Sequence, residues 1–204
     1  MLHSRAPADI RLRRPWATGH HVPTDERGSP DTVIDDRIDP PNEGTEREVL
    51  LGFLRYHRDT LVMKCAELSP AQLATRAVGP SKLSLLGLVR HLADVERHWF
   101  RRVLAGEDAP PLFYSDTSPD GEFDDIDPET ITQAEVDRAF AGWRAEVAAA
   151  DAAVAAAESL DLRSVGGRET YSLRWILAHL IEEYCRHNGH ADLLRERLDG
   201  RTGE

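Results

Sequence analysis

Two stretches of the sequence carry side chains of the kinds that bind divalent metal ions. Glu183 and His187 are four residues apart in a segment with helical spacing of apolar residues, so their side chains share one helix face about one turn apart. His91, in a second such segment, completes a set of three. Three protein ligands leave coordination positions open for water or substrate, as a catalytic metal requires. We therefore take His91, Glu183 and His187 as candidate metal ligands.

Spacing alone leaves other roles open for these residues. A histidine on an apolar helix face is more often a core residue with a hydrogen-bond partner than a ligand. Glu183 makes the metal role more plausible, because a carboxylate on an apolar face needs a partner of opposite charge. A metal ion is one such partner, and the guanidinium of Arg186 or Arg90 is another.

Three further histidines lie close to the candidate ligands in the sequence. His98 follows His91 by two helical turns, roughly 10 Å along the axis, so these two are not expected to bind one ion. His179 and His190 continue the helical stripe of Glu183 and His187. His98, His179 and His190 are all candidates for proton transfer near the site, or for supporting the ligands and the core from behind.

The two cysteines, Cys65 and Cys185, both fall within predicted helices and form no CxxC or zinc-finger pattern. We expect both to be buried free thiols that act as small apolar residues. A catalytic role for Cys185, two residues before His187, is the alternative.

The elements that must position these residues are helices. Capping boxes or serine caps at Thr45, Ser69, Ser84, Thr132 and Ser172 begin five helical segments. They predict long helices over 46–67, 85–105, 132–158 and 172–198, and a short one from 70 to about 76. No segment alternates as a strand does. The prediction is an all-α, four-helix bundle with one short extra helix, a fold whose core commonly holds metal sites.

Two regions lie outside this helical pattern. Residues 1–43 are polar and rich in proline and glycine, and we interpret them as a flexible N-terminal arm before a bundle domain at 44–204. Residues 107–131 form a long acidic loop that we expect to cover the bundle mouth and to select substrate.

Composition limits the classes of partner. The formal net charge of −11 argues against nucleic acid. No apolar run approaches the roughly 18 residues needed to cross a bilayer. The first ten residues contain no continuous apolar core, so a secretory signal is not expected and the cytoplasm is the expected location.

The segments SLLGLVRHLADVERHWF (84–100) and SLRWILAHLIEEYCRHNGHADLLRE (172–196) resemble the two motifs of the DinB superfamily, more narrowly its DUF664 branch. The resemblance covers roughly residues 44–200 and implies a DinB-like bundle with a divalent metal, zinc or alternatively nickel, on His91, Glu183 and His187. Many members have histidine in place of Glu183. Those similar to mycothiol-dependent maleylpyruvate isomerase have glutamate, but the sequence ends at Glu204 without that enzyme's C-terminal domain, so maleylpyruvate itself is not expected.

The resemblance also implies a function. Members that use thiols employ mycothiol or bacillithiol, and the arginine-rich composition, typical of GC-rich coding sequences, favours mycothiol. We therefore expect a metal-dependent S-transferase acting on a small-molecule thiol and a small electrophile, with a homodimer compatible with the resemblance. The alternatives are a non-catalytic, stress-associated metal-binding bundle and a metal-dependent hydrolase.

Overall fold

The computed structural model describes residues 37–202, and the predicted flexible arm lies mostly outside this range. Six helices follow in order: α1 (Glu46–Cys65), α2 (Pro70–Ala74), α3 (Leu85–Glu96), α4 (Gly121–Asp124), α5 (Gln133–Ala156) and α6 (Leu173–Asp199). A π-helical segment, Arg97–Leu104, continues α3 without a break. No strand forms between residues 37 and 202, so the predicted all-α fold is confirmed. No helix in this range is long and apolar enough to cross a membrane.

The helices begin where the sequence predicts. Thr45, Ser69 and Thr132 each accept a hydrogen bond from the backbone three residues on and receive a reciprocal side chain, which completes the capping box. Ser84 and Ser172 also cap their helices with the hydroxyl group. These bonds satisfy amides that otherwise have no partner in the first turn.

Two details of the fold differ from the prediction. The bundle has two short helices, α2 and α4, where one was expected, because the single turn of α4 is too short to show a helical period. The predicted helix 85–105 also changes from α to π geometry at Arg97. In a π-helix each backbone hydrogen bond spans five residues instead of four. No proline or glycine accompanies this change at Arg97, so the sequence pattern does not predict it.

The four long elements enclose a leucine-rich core. α1 packs mainly on α6 and α3 mainly on α5, while α3 and α6 also contact each other. Leu61 of α1, Leu88 of α3 and Leu177 of α6 are completely buried. Each fully buried leucine of this kind stabilises the fold by about 1.5–3 kcal/mol relative to an exposed one.

A buried polar network crosses this core and links all four long elements. Arg58 of α1 donates to both carboxylate oxygens of Glu96 at 2.7 and 2.8 Å, and also to Asp151 of α5. Tyr184 of α6 donates its hydroxyl to Glu96 at 2.9 Å and accepts from the Trp143 indole of α5. Glu96 has no exposed surface, and Arg58 is 5% exposed, so both charges depend on each other for compensation.

The acidic loop is attached to α3 at two places. Asp94 accepts hydrogen bonds from the backbone amides of Leu112 and Phe113 at 2.6 and 2.9 Å. Further along, the Phe123 ring lies over Gly87, where a Cβ atom would come within 2.4 Å of it. Glycine at position 87 therefore lets α4 approach α3 closely.

We expect Arg58→Ala to lower the free energy of unfolding by about 3–5 kcal/mol, because Glu96 is left as a buried, unpaired carboxylate. Urea unfolding followed by circular dichroism measures this. Arg55→Ala, an exposed position on the same helix, is the control and is expected to stay within about 0.5 kcal/mol. A loss below about 1 kcal/mol for Arg58→Ala would mean that the pair does not hold the bundle together.

Candidate metal centre

The three candidate ligands lie together between α3 and α6. Ligand atoms of His91, Glu183 and His187 all lie within 4.8 Å of one another. Glu183 Oε2 is 3.3 Å from His187 Nε2, and the rings of His91 and His187 have centroids 4.7 Å apart. With metal–ligand bonds of about 2 Å, the ligands of a tetrahedral ion are roughly 3.3 Å apart, so small side-chain rotations are enough to bring these atoms onto one ion.

The competing partners for Glu183 are engaged elsewhere. Arg186 pairs with the neighbouring Glu182, and Arg90 donates to the backbone carbonyl of Asp125. Within residues 37–202, no arginine or lysine nitrogen lies within 4.0 Å of the Glu183 carboxylate, which contacts the rings of His179 and His187 instead. A half-buried carboxylate with an imidazole ring next to each of its oxygens has the surroundings of a cation ligand.

His91 is oriented by a carboxylate that the sequence did not indicate. Glu122 of α4 places Oε1 3.4 Å from His91 Nδ1, and its other oxygen, Oε2, is buried without a hydrogen-bond partner among the described residues. A carboxylate behind a histidine fixes the proton on the nearer nitrogen and leaves the other free to bind a metal. Glu122 lay within an acidic run without any period, so nothing in the pattern separated it from its neighbours.

His187 has the protonation state of a metal ligand. Burial, together with the nearby charges of His91, His190 and Arg186, lowers the pKa of His187 to about 3. The ring is therefore neutral at pH 7, the form in which imidazole binds metals. His190 lies 3.4 Å from the Nδ1 atom of His187, which places it behind this ligand.

His179 lies at the edge of the site, whereas His98 lies apart from it. His179 Nε2 is 3.5 Å from Glu183 Oε1, so the two carboxylate oxygens face different histidines. His179, Glu182 and Glu183 also come close enough together to hold a cation. His98 packs edge-on against Trp99 and joins neither group within the described residues.

The prediction that both cysteines are buried is correct for Cys65 and wrong for Cys185. Cys65 is buried, but Cys185 is exposed at the seam between α6 and α1, with its sulfur 3.1 Å from His57 Nε2. Although the residue is exposed, partial burial of the thiol against α1 and the nearby Glu182 carboxylate raise the pKa of Cys185, which opposes formation of a thiolate. The helical stripe that carries Glu183 and His187 does not include position 185, so this thiol is not part of the candidate centre.

Comparison with known proteins places the sequence in a family. No curated protein and no solved structure matches the chain. The model of the mycothiol-S-transferase family matches residues 49–200. This range contains most of the bundle and the three candidate ligands. That family is part of the DinB-like superfamily, which confirms the resemblance drawn from the two motifs. The chain therefore belongs to the mycothiol-S-transferase family.

Proposed function

We propose that this protein binds one divalent cation through His91, Glu183 and His187 and transfers the sulfur of mycothiol to a small electrophile. Zinc is the proposed metal, with nickel as the alternative. The observation that carries the proposal is the convergence of these three side chains from two helices, with no arginine or lysine of the described range, 37–202, paired with the carboxylate. Family membership supports the choice of thiol.

The donor set fits such a cation. Two imidazole nitrogens and one carboxylate oxygen suit zinc and nickel better than calcium or magnesium, which prefer oxygen alone. The contact of Glu122 Oε1 with His91 Nδ1 and the neutral state of His187 fit the same assignment, since both are arrangements that prepare a histidine to donate a lone pair. When bound, the cation would supply Lewis acidity that lowers the pKa of a thiol, so that the sulfur is a thiolate near neutral pH.

The residues around the site have separate parts in the transfer. His179 Nε2, at the edge of the site, accepts the proton that leaves the thiol. The sulfur lone pair then attacks the electrophilic carbon, a C–S bond forms, and the leaving group departs with its bonding pair. Glu122 and His190 keep the rings of His91 and His187 in place while this happens.

The wider assignments follow the same proposal. We propose a bundle domain at 44–204 preceded by an arm at 1–43, a location in the cytoplasm where low-molecular-weight thiols are kept reduced, and a homodimer as the assembly. A net charge of −11 fits small-molecule substrates better than nucleic acid.

Substituting the ligands tests metal and activity together. We expect the purified protein to contain about one zinc per chain, and His91→Ala or His187→Ala to contain less than about a tenth of that, because two ligands hold zinc poorly. Elemental analysis measures the metal, and conjugation of monobromobimane to mycothiol measures the transfer, expected to fall at least about 100-fold.

His57→Ala is the matched control, because His57 lies on α1 against Cys185 and should change neither quantity. A protein without stoichiometric metal, or with transfer unaffected by His187→Ala, contradicts the proposal. Metal without any thiol conjugation indicates a non-catalytic bundle, and thiol-independent ester cleavage indicates a hydrolase.

Glu122→Gln is expected to weaken zinc binding by about 10–100-fold, since the amide holds the His91 ring less firmly and no longer adds negative charge behind it. Competition with a chromophoric chelator gives the dissociation constant. Asp120→Asn, on the exposed residue just before the same helix, should leave the constant unchanged. Equal affinity of Glu122→Gln and the unmodified protein would show that His91 needs no support from α4.

A further inference from the structure

Four rings beside the candidate metal centre form a continuous aromatic row. We define this aromatic row as Trp99, Tyr171, Trp175 and His179. Trp99 in the π-helical segment contacts the other three, with ring centroids 4.8–5.2 Å apart. Trp175 stacks on His179 at 4.9 Å and lies 4.5 Å from Tyr171. These rings come from the π-helical segment, from the residues just before α6 and from α6 itself.

The aromatic row begins at the metal centre and leads away from it. Trp175, His179 and Glu183 follow one another at intervals of four residues and so share one stripe of α6. At about 1.5 Å per residue, Trp175 lies roughly 12 Å from Glu183 along the axis, with His179 halfway. His179 contacts Glu183 directly, so the row and the candidate centre form one surface.

The row is not part of the closed core. Trp175 is 43% exposed, and Trp99, Tyr171 and His179 are only half-buried. Polar groups border it, since Tyr171 donates its hydroxyl to Glu169 and Glu182 lies 3.2 Å from His179. Aromatic faces with a polar border suit a ligand that is apolar on its face and rich in hydroxyl groups at its edge.

We propose that the aromatic row binds the sugar part of the thiol substrate while its sulfur occupies the candidate metal centre. This inference rests on the proposed function and adds the location of the non-reacting part of the thiol. Mycothiol carries its cysteine on an amino sugar joined to inositol, so both rings are several bonds from the sulfur. A sugar ring packs the C–H groups of one face against an indole, and the carboxylates of Glu169 and Glu182, which border the row, are acceptors for its hydroxyls.

Distance favours the sugar over the electrophile as the occupant. The reacting carbon must approach to about 3–3.5 Å from the sulfur, so the electrophile has to react at the metal centre itself. The far end of the row, at Trp175, is too distant for that atom. The part of the thiol that extends beyond its cysteine is the group that reaches Trp175.

Kinetics of Trp175→Ala test this assignment. We expect KM for mycothiol to rise about 5–10-fold through loss of one aromatic face, with kcat at saturating mycothiol changed less than about threefold. KM for the electrophile and the rate with N-acetylcysteine, a thiol without sugar, should not change. Trp175→Phe should restore most of the affinity, and Leu193→Ala, another exposed apolar residue of α6, is the matched control.

Binding of the sulfur-free disaccharide of glucosamine and inositol tests the row without catalysis. We expect this compound to change the tryptophan fluorescence of the unmodified protein, with and without zinc, and to bind Trp175→Ala about 5–10-fold more weakly. Equal binding by both proteins, no binding at all, or a rise only in the electrophile's KM would overturn the inference. If no thiol is conjugated but the disaccharide still binds at Trp175, the proposed function fails while the sugar site stands.

Discussion

The ion pair between Arg58 and Glu96 is the interaction on which the rest of the structure depends. Two charges in the centre of a leucine core are tolerated only when their hydrogen-bonding groups are paired, and here both oxygens of Glu96 accept from Arg58. Tyr184 adds a further bond to Glu96, and burial together with that carboxylate raises the pKa of Tyr184, which keeps its hydroxyl a donor. Tyr184 directly follows Glu183, and Glu96 lies on the same helix as His91. The bond from Tyr184 to Glu96 therefore joins the two helices that carry the candidate ligands, and Arg58 compensates the charge on which this bond depends.

The acidic loop between α3 and α5 positions a side chain against a candidate metal ligand. Asp94 holds its first part through two backbone amides, and the Phe123 ring packs over Gly87 in its second part. Between these attachments Glu122 is carried into contact with His91. A carboxylate with one oxygen buried and unpaired is costly to hold in place. The two attachments supply the packing that offsets this cost, so the loop holds Glu122 beside the candidate ligand His91.

The sequence predicts well what depends on local periodicity. Caps such as Thr45 and Ser172 specify helix starts because their side chains bond to amides three residues away, and the four-residue spacing of Glu183 and His187 places them on one face. Contacts between distant segments are not encoded in this way. Glu122 is distinguished from other acidic residues of its loop by its burial and its contact with His91, both of which depend on packing between distant segments. Cys185 is exposed beside His57 of α1, a contact that no period of α6 alone reveals.

Glu183 lies between the candidate metal ligands and the aromatic row and carries the only negative charge among the three candidate ligands. A carboxylate with two neutral imidazoles offsets half the charge of a divalent cation, whereas three imidazoles would offset none. Its two oxygens are divided, with Oε2 near His187 and Oε1 near His179. The carboxylate of Glu183 therefore contacts one proposed ligand of the cation and, on its other oxygen, the histidine at the edge of the site. His179 is also stacked on Trp175, so one imidazole ring contacts both the carboxylate of the candidate centre and the aromatic row. The side chains of the two proposed sites are therefore held against each other along a single stripe of α6.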